Sequence, residues 1–257
     1  MSGLQLFGIV GLPEIATGTD LAAAIYGAAQ AADTPLASGD VVVVGSKIVS
    51  KAEGRIVILD DVVPSEFARR WSEKWDKDPR LTEVVLRESR RVVRQVGPIL
   101  VTETHHGFVC ANSGVDQSSS GAHGQVLVLP VDSDASARAI RAGLTARGID
   151  VAVIISDTFG RPWREGQTDI AIGIAGMQPI TSYIGQHDPH GHEFRVQALC
   201  TADELAGAAE LVKGNISRIP VAVIRGFAWK PASASAVESP PSSTTVIRET
   251  DRVMLLG

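Results

Sequence analysis

The chain has 257 residues, 44% apolar and 21% charged, which allows one large domain or two small lobes around a real hydrophobic core. Its 24 basic and 29 acidic residues leave a formal charge of −5, which argues against nucleic-acid binding, since that leaves a basic footprint. Two cysteines, Cys110 and Cys200, give neither a disulfide framework nor a zinc set and read as buried thiols of a reducing compartment. The N-terminal "MSGLQLFGIVGLPEI" lacks the basic and long apolar regions of a signal peptide, and no apolar run reaches membrane-spanning length. A cytoplasmic protein is expected.

In chain order, "LQLFGIV" predicts a first strand ending in the turn "GLPEIATGTD", where Asp20 can cap an Ala-rich helix running to about Ala32. "DVVVVGSKIVSKAEGR" predicts a buried strand running into a polar segment. Residues 64–96 read as two charged amphipathic helices, "PSEFARRWSEKWDKD" and "PRLTEVVLRESRRVVRQV". "PILVTETHHGFVCANSGVD" predicts one or two strands, followed by the turn-rich "QSSSGAHG" and the strand "QVLVLPV". "SDASARAIRAGLTARG" reads as a capped helix ended by Gly148, feeding the strand "DVAVIIS". "TADELAGAAELVKG" predicts another capped helix, and "IPVAVIRGF" a final buried strand. After Trp229 the composition turns to Pro, Ser and Ala, so residues 229–257 read as a linker and short tail. No internal repeat is present.

Three segments place polar groups at the end of an apolar strand: Ser46–Lys51, Asn112–Ser120 and Ser156–Asp169. Ligands of α/β proteins bind at such ends. Isolated carboxylates avoid burial unless they are paired or metal-bound. Asp116 and Asp157 therefore suggest hard oxygen ligands for Mg2+ or Mn2+, although from pattern alone each suits a turn cap or an arginine pair better. Lys47 and Lys51 can meet phosphates as point charges, or stand solvated at a strand end. Arg161 and Arg164 can clamp a carboxylate or phosphate, or pair with Glu165 or Asp169 at the surface. No G-x-x-x-x-G-K-[ST] occurs, so any nucleotide is held without a P-loop. "QHDPHGHEF" carries His187, His190 and His192 around a Pro-Gly turn and matches no zinc spacing; His105 and His106 read as strand-end packing.

Taken together, "GLPEI", "DVVVVGSKIVSKAEGR", "HGFVCANSGVDQSS", "ISDTFGRPWREGQTDIAIG", "GHEF", "ADELAGAAELVKG" and "IPVAVIRGF" resemble the coenzyme F420-0:γ-glutamyl ligases, in order, from about residue 5 to 228. The resemblance implies an α+β fold of two lobes spanning residues 1–228, forming an intertwined dimer and unlike P-loop or ATP-grasp enzymes. It implies a GTP-dependent ligase that activates the terminal carboxylate of F420-0 as an acyl phosphate. The amine of L-glutamate then attacks, giving a γ-linked tail, GDP and phosphate. Two divalent ions, Mg2+ or Mn2+, would serve the triphosphate, with K+ as a further cation. On this resemblance Asp116 and Asp157 hold the first metal, Thr158 and Asn215 the second, and Arg161 and Arg164 face the anionic reactants. Leu12, Pro13, Glu14, Ile15, Ser46, Lys47, Lys51, Ser119, Lys213, Gly214 and Asn215 fall where the family contacts GTP. The sequence departs from the pattern at Asn215, where many relatives carry Glu or Gln, and at Ser119, where relatives carry Asn. Some members fuse this domain to a C-terminal flavin-binding reductase domain, which is expected to be separate or missing here. The competing readings are a metal-dependent phosphohydrolase, a non-catalytic binder of the deazaflavin or GTP, and an amide ligase with another acceptor.

Overall fold

The computed structural model describes residues 3–117 and 124–232. Along the chain these form strand β1 (Gln5–Gly8), helix α1 (Leu21–Ala31), β2 (Val41–Gly45), α2 (Ser46–Ala52), β3 (Ile56–Ile58), α3 (Glu66–Trp75) and α4 (Pro79–Arg87). There follow β4 (Ser89–Val96), β5 (Ile99–Thr104), β6 (Val109–Ala111), β7 (Gln125–Leu127), α5 (Ser133–Thr145), β8 (Ala152–Gly160) and β9 (Gln167–Ala175). The chain continues through β10 (Thr181–Ser182), β11 (Ala198–Leu199), α6 (Thr201–Lys213) and β12 (Val221–Arg225).

The central sheet has the order β1-β12-β2-β8-β9, with β2 and β8 parallel and the other neighbours antiparallel. Both faces are covered, which is why β2 reads as an unbroken run of valines rather than an alternating pattern. Val42 and Val44 pack with α1, α2 and α5, while Val41 and Val43 pack with α6. A second group of elements has its own smaller cores: Leu59, Val62, Val84, Val126 and Val128 in one, Trp71, Val85 and Leu100 in another. Here β3 pairs with β7, and β4, β5 and β6 form a three-stranded sheet beside α3 and α4. The architecture is the mixed α and β arrangement expected. No helix among the described residues is long and apolar enough to cross a membrane.

The expected cap of α1 is present, Asp20 accepting from Ala23 N; α5 is capped too, by Asp132 just before the stretch read as the helix, accepting from Ala135 N. Gly148 follows α5 with φ of 82°, a left-handed conformation that favours glycine. The polar segment after β2, left without a secondary-structure assignment in the sequence, is the helix α2. Three expectations are corrected. The second amphipathic helix ends at Arg87, where the Ser89 hydroxyl bonds back to Val85 O, and "SRRVVRQV" continues as β4 against β5. Helix α6 starts after Cys200, which offers no side-chain cap; Thr201 instead shares a hydrogen bond with Thr181 at 2.7 Å. Strand β8 runs on past Ser156 to Gly160, because β9 pairs with its whole length, and β9 was not anticipated.

The tail expected from residue 229 begins with residues held by the fold. Gln178 N donates to Lys230 O and Ala232 N to Gly176 O, and the Trp229 indole donates to Gly39 O at 2.9 Å. Residues 233–257 lie outside the described residues. Cys110 is buried and Cys200 half-buried, and burial is the main cause that pushes each thiol up to about 12. Neither offers a reactive thiolate.

Candidate active site

The C-terminal ends of β1 and β2, the middle of β8 at Ser156 and the start of β12 lie level at one end of the central sheet. Register fixes this: Gly8 pairs with Ala222, Val221 with Val44, and Gly45 lies level with Ser156. Gly45 N donates to Pro220 O at 2.8 Å, and α2 begins at the next residue. This end of the sheet thus collects two of the polar segments singled out in the sequence, at Ser46 and Ser156, and the 12–15 stretch assigned by resemblance.

Two consecutive residues of α2 each hold an aspartate. Ser46 is buried, and its hydroxyl donates to Asp157 Oδ1 at 2.6 Å. Lys47 reaches Asp116 Oδ2 at 2.9 Å. Asp116 arrives from the second group of elements and is aligned by a two-way backbone bridge to Leu127. Burial pushes the Asp157 carboxyl up to about 6; the Ser46 hydrogen bond opposes the rise, the Asp169 charge adds to it and Lys47 opposes it. A carboxylate so placed is short of positive charge.

The other side of the strand carries a second, more deeply buried set. The Asp169 carboxylate accepts from the Thr158 hydroxyl at 2.7 Å, the Ser156 hydroxyl at 2.8 Å and the Lys213 ammonium at 2.6 Å. Lys213 also donates to Ser156 at 2.9 Å and lies 3.3 Å from Glu210. Successive residues of a strand point to opposite faces. Thr158 is paired with Asp169 and Asp157 with Ile170, so Asp157 and Thr158 present their side chains to different sides. Sequence reading took Asp169 only as a surface partner for an arginine; its signal was the apolar alternation of "TDIAIGIA", which marks a strand.

The remaining assigned residues fall into three places. Glu14 Oε1 takes the Lys51 ammonium at 2.7 Å, which holds its carboxyl below the usual range, and the Arg218 charge acts in the same direction. The segment from Leu12 to Ile15, helix α2 and the bends after α6 therefore face one another, with Ile15 anchored in the core and Pro13 exposed. Gly214 and Asn215 are exposed in those bends, whereas Lys213 is buried as the last residue of α6. Arg161 and Arg164 sit exposed in the turn between β8 and β9, and Arg161 donates to Glu165 O at 3.0 Å. Ser119 lies outside the described residues. The histidines serve local structure. His105 Nε2 donates to Arg87 O and His106 Nε2 to Pro130 O, while Asp188 caps the backbone of His190 and His192.

Among the described residues no three His, Cys, Asp or Glu side chains gather as a metal-binding group. The oxygens of Asp116 and Asp157 nevertheless fit a hard cation. Each carboxylate is held by one of two adjacent residues of α2, and the half-buried Asp157 is pushed towards its neutral form by the desolvation that a cation would offset. A hard divalent ion of this kind completes its shell with waters and phosphates.

The family model described as F420-0:Gamma-glutamyl ligase matches residues 9–226, which span every assigned residue from Leu12 to Asn215. The chain belongs to this family. It is 42% identical over 229 residues to a coenzyme F420:L-glutamate ligase of Methanothermobacter thermautotrophicus, covering 88% of this chain and 90% of that relative. Against the coenzyme F420:L-glutamate ligase of Methanopyrus kandleri it is 41% identical over 258 residues, with 98% of both chains covered. The relative of the same name from Halobacterium salinarum is 42% identical over 231 residues, 87% of each chain. In the terms of the γ-glutamyl ligase family, both aspartates and α2 lie well inside the shared region.

Proposed function

We propose that the chain is a GTP-dependent ligase that joins L-glutamate to F420-0 and extends a γ-linked glutamyl tail in F420 biosynthesis. The observation that carries the mechanism is that Ser46 and Lys47, consecutive residues of α2, hold Asp157 and Asp116 respectively. Family membership supports the substrate class, since the relatives are named for the same ligation.

Lys47 and Lys51 are point charges now spent on Asp116 and Glu14, and they turn to the phosphates when the nucleotide enters. Asp116 and Asp157 would hold one Mg2+ or Mn2+, and Thr158 and Asn215 a second. The ions supply neutralisation of the triphosphate and in-line alignment of its terminal phosphoryl group. A carboxylate oxygen of F420-0 then bonds to the terminal phosphorus as the bridging oxygen leaves with its electron pair on GDP. The amine of glutamate attacks the resulting acyl phosphate, phosphate departs, and the amine proton is released. The guanidinium groups of Arg161 and Arg164 steer the anionic reactants from the turn beside the site.

Hydroxylamine trapping tests the activated carboxylate. With F420-0, GTP and Mg2+ but no glutamate, a hydroxamate of F420-0 is expected. Efficient ligation with glutamate but no hydroxamate without it would contradict the acyl-phosphate route.

A further inference from the structure

We propose that Asp169 and Lys213 are a buried positioning pair for the ligation, Lys213 acting from inside the fold rather than touching the nucleotide. The claim rests on the ligase reading for its kinetic arm. Both charges lie almost wholly inside, with Asp169 3% and Lys213 5% exposed. Apolar residues in place of a buried ion pair are often neutral or stabilising, so stability alone is a poor reason to keep one.

The geometry supplies another reason. Asp169 Oδ1 accepts from Thr158, and Oδ2 accepts from Ser156 and Lys213, so one carboxylate ties together β8, β9 and the end of α6. A carboxylate only accepts, so the Thr158 hydroxyl must donate. Its proton is turned inward and its lone pairs are left for an incoming donor or cation. Without Asp169 that hydroxyl would rotate among its staggered wells. Lys213 is also the last residue of α6; Gly214 follows with φ of 59° and ψ of 156°, and the chain swings into the exposed bend at residues 215–218. Anchoring the Lys213 ammonium fixes where that bend begins, and the Arg218 charge is felt at Glu14 across the site.

Single substitutions strand a buried charge and lower stability, so paired variants are decisive. Asp169→Leu/Lys213→Met removes both charges and every acceptor; Asp169→Asn/Lys213→Met keeps an acceptor for Thr158. Both are expected to melt close to the wild type. In the Leu/Met protein kcat should fall at least about tenfold, and the Mg2+ concentration for half-saturation with a fluorescent GTP analogue should rise by a similar factor. Affinity for the analogue at saturating Mg2+ should change less than about threefold, and Asn/Met should recover part of both losses. Recovery of wild-type kcat and Mg2+ midpoint together with the fold, in Leu/Met, would make the pair merely structural and overturn the proposal. A large loss of analogue affinity at saturating Mg2+ in the Asn/Met protein, which strands no charge at Asp169, would instead make Lys213 a direct contact and overturn the proposal. Should Leu/Met fail to fold, Thr158→Val must reproduce the raised Mg2+ midpoint, and an unchanged midpoint there sinks the idea. Wild-type protein that ligates no glutamate would overturn the ligase reading, while the Mg2+ midpoints would still decide the pair.

Discussion

At the scale of single residues, Asp157 bears the most charge tension. Its folded pKa of about 6 stands above the ordinary 3.8, so the stability tied to its proton is present below 3.8 and lost as pH rises through 6. Asp157→Asn keeps the shape and the acceptor for Ser46 while removing the charge. Without divalent ions it should raise the stability of the protein at pH 8 by on the order of 2 kcal/mol, a gain that vanishes near pH 4. The same variant should lose ligation, because a hard cation prefers a charged oxygen. Melting curves at the two pH values, with an activity assay, check both statements; a variant less stable than wild type at pH 8 would show that Asp157 is not desolvated. Asn215 makes a complementary case, since it is exposed after α6 and its neutral carboxamide is a weak ligand. Asn215→Glu is expected to lower the Mg2+ concentration for half-maximal rate. Superimposable metal titrations would remove residue 215 from the second ion.

At the scale of elements, close packing places the site as firmly as hydrogen bonds do. A Cβ at Gly173 on β9 would lie 2.3 Å from Ser133 O, at the first residue of α5. Gly173→Ala should therefore cost about 1–3 kcal/mol by overpacking. Gly160→Ala, with nothing within 4 Å of the added carbon, should cost little. Urea unfolding of the two variants checks the contrast, and equal midpoints would mean that α5 does not sit flush on the sheet. The elements also show how far the sequence could be read. Apolar runs and caps marked β2, α1, α5 and β12, because burial on both faces and Asp caps are local signals. The helix α4 was read correctly as far as Arg87, but 89–96 was misread because "SRRVVRQV" suits the continuation of a helical stripe as well as a β-branched strand, and only pairing with β5 decides. Asp116, Asp157, Ser46 and Lys47 were legible as chemistry-bearing residues. Their pairing was not, since Lys47–Asp116 and Ser46–Asp157 join positions far apart in the chain. The Asp169–Lys213 pair was missed because a buried ion pair leaves no mark in the sequence around either partner.

At the scale of the whole molecule, residues up to 232 are held by the fold through Trp229 and the pairing of Lys230 and Ala232 with residues 176–178. Removing residues 233–257, rich in Ser and Pro at their start, is expected to leave the melting temperature within a few degrees. Removing residues 229–257 should lower it clearly, since Trp229 packs against the core on the α6 side of the sheet and its indole donates to Gly39 O. Equal melting temperatures for the two truncations would contradict this account of the C-terminal segment.

The ligase assignment itself is tested most directly by mass spectrometry of F420-0 incubated with the protein, GTP, Mg2+ or Mn2+, and L-glutamate. The account predicts products heavier by whole glutamyl residues, with one GDP and one phosphate released per residue added. GTP consumption that proceeds at the same rate without glutamate, leaving F420-0 at its original mass, would contradict it and identify a phosphohydrolase.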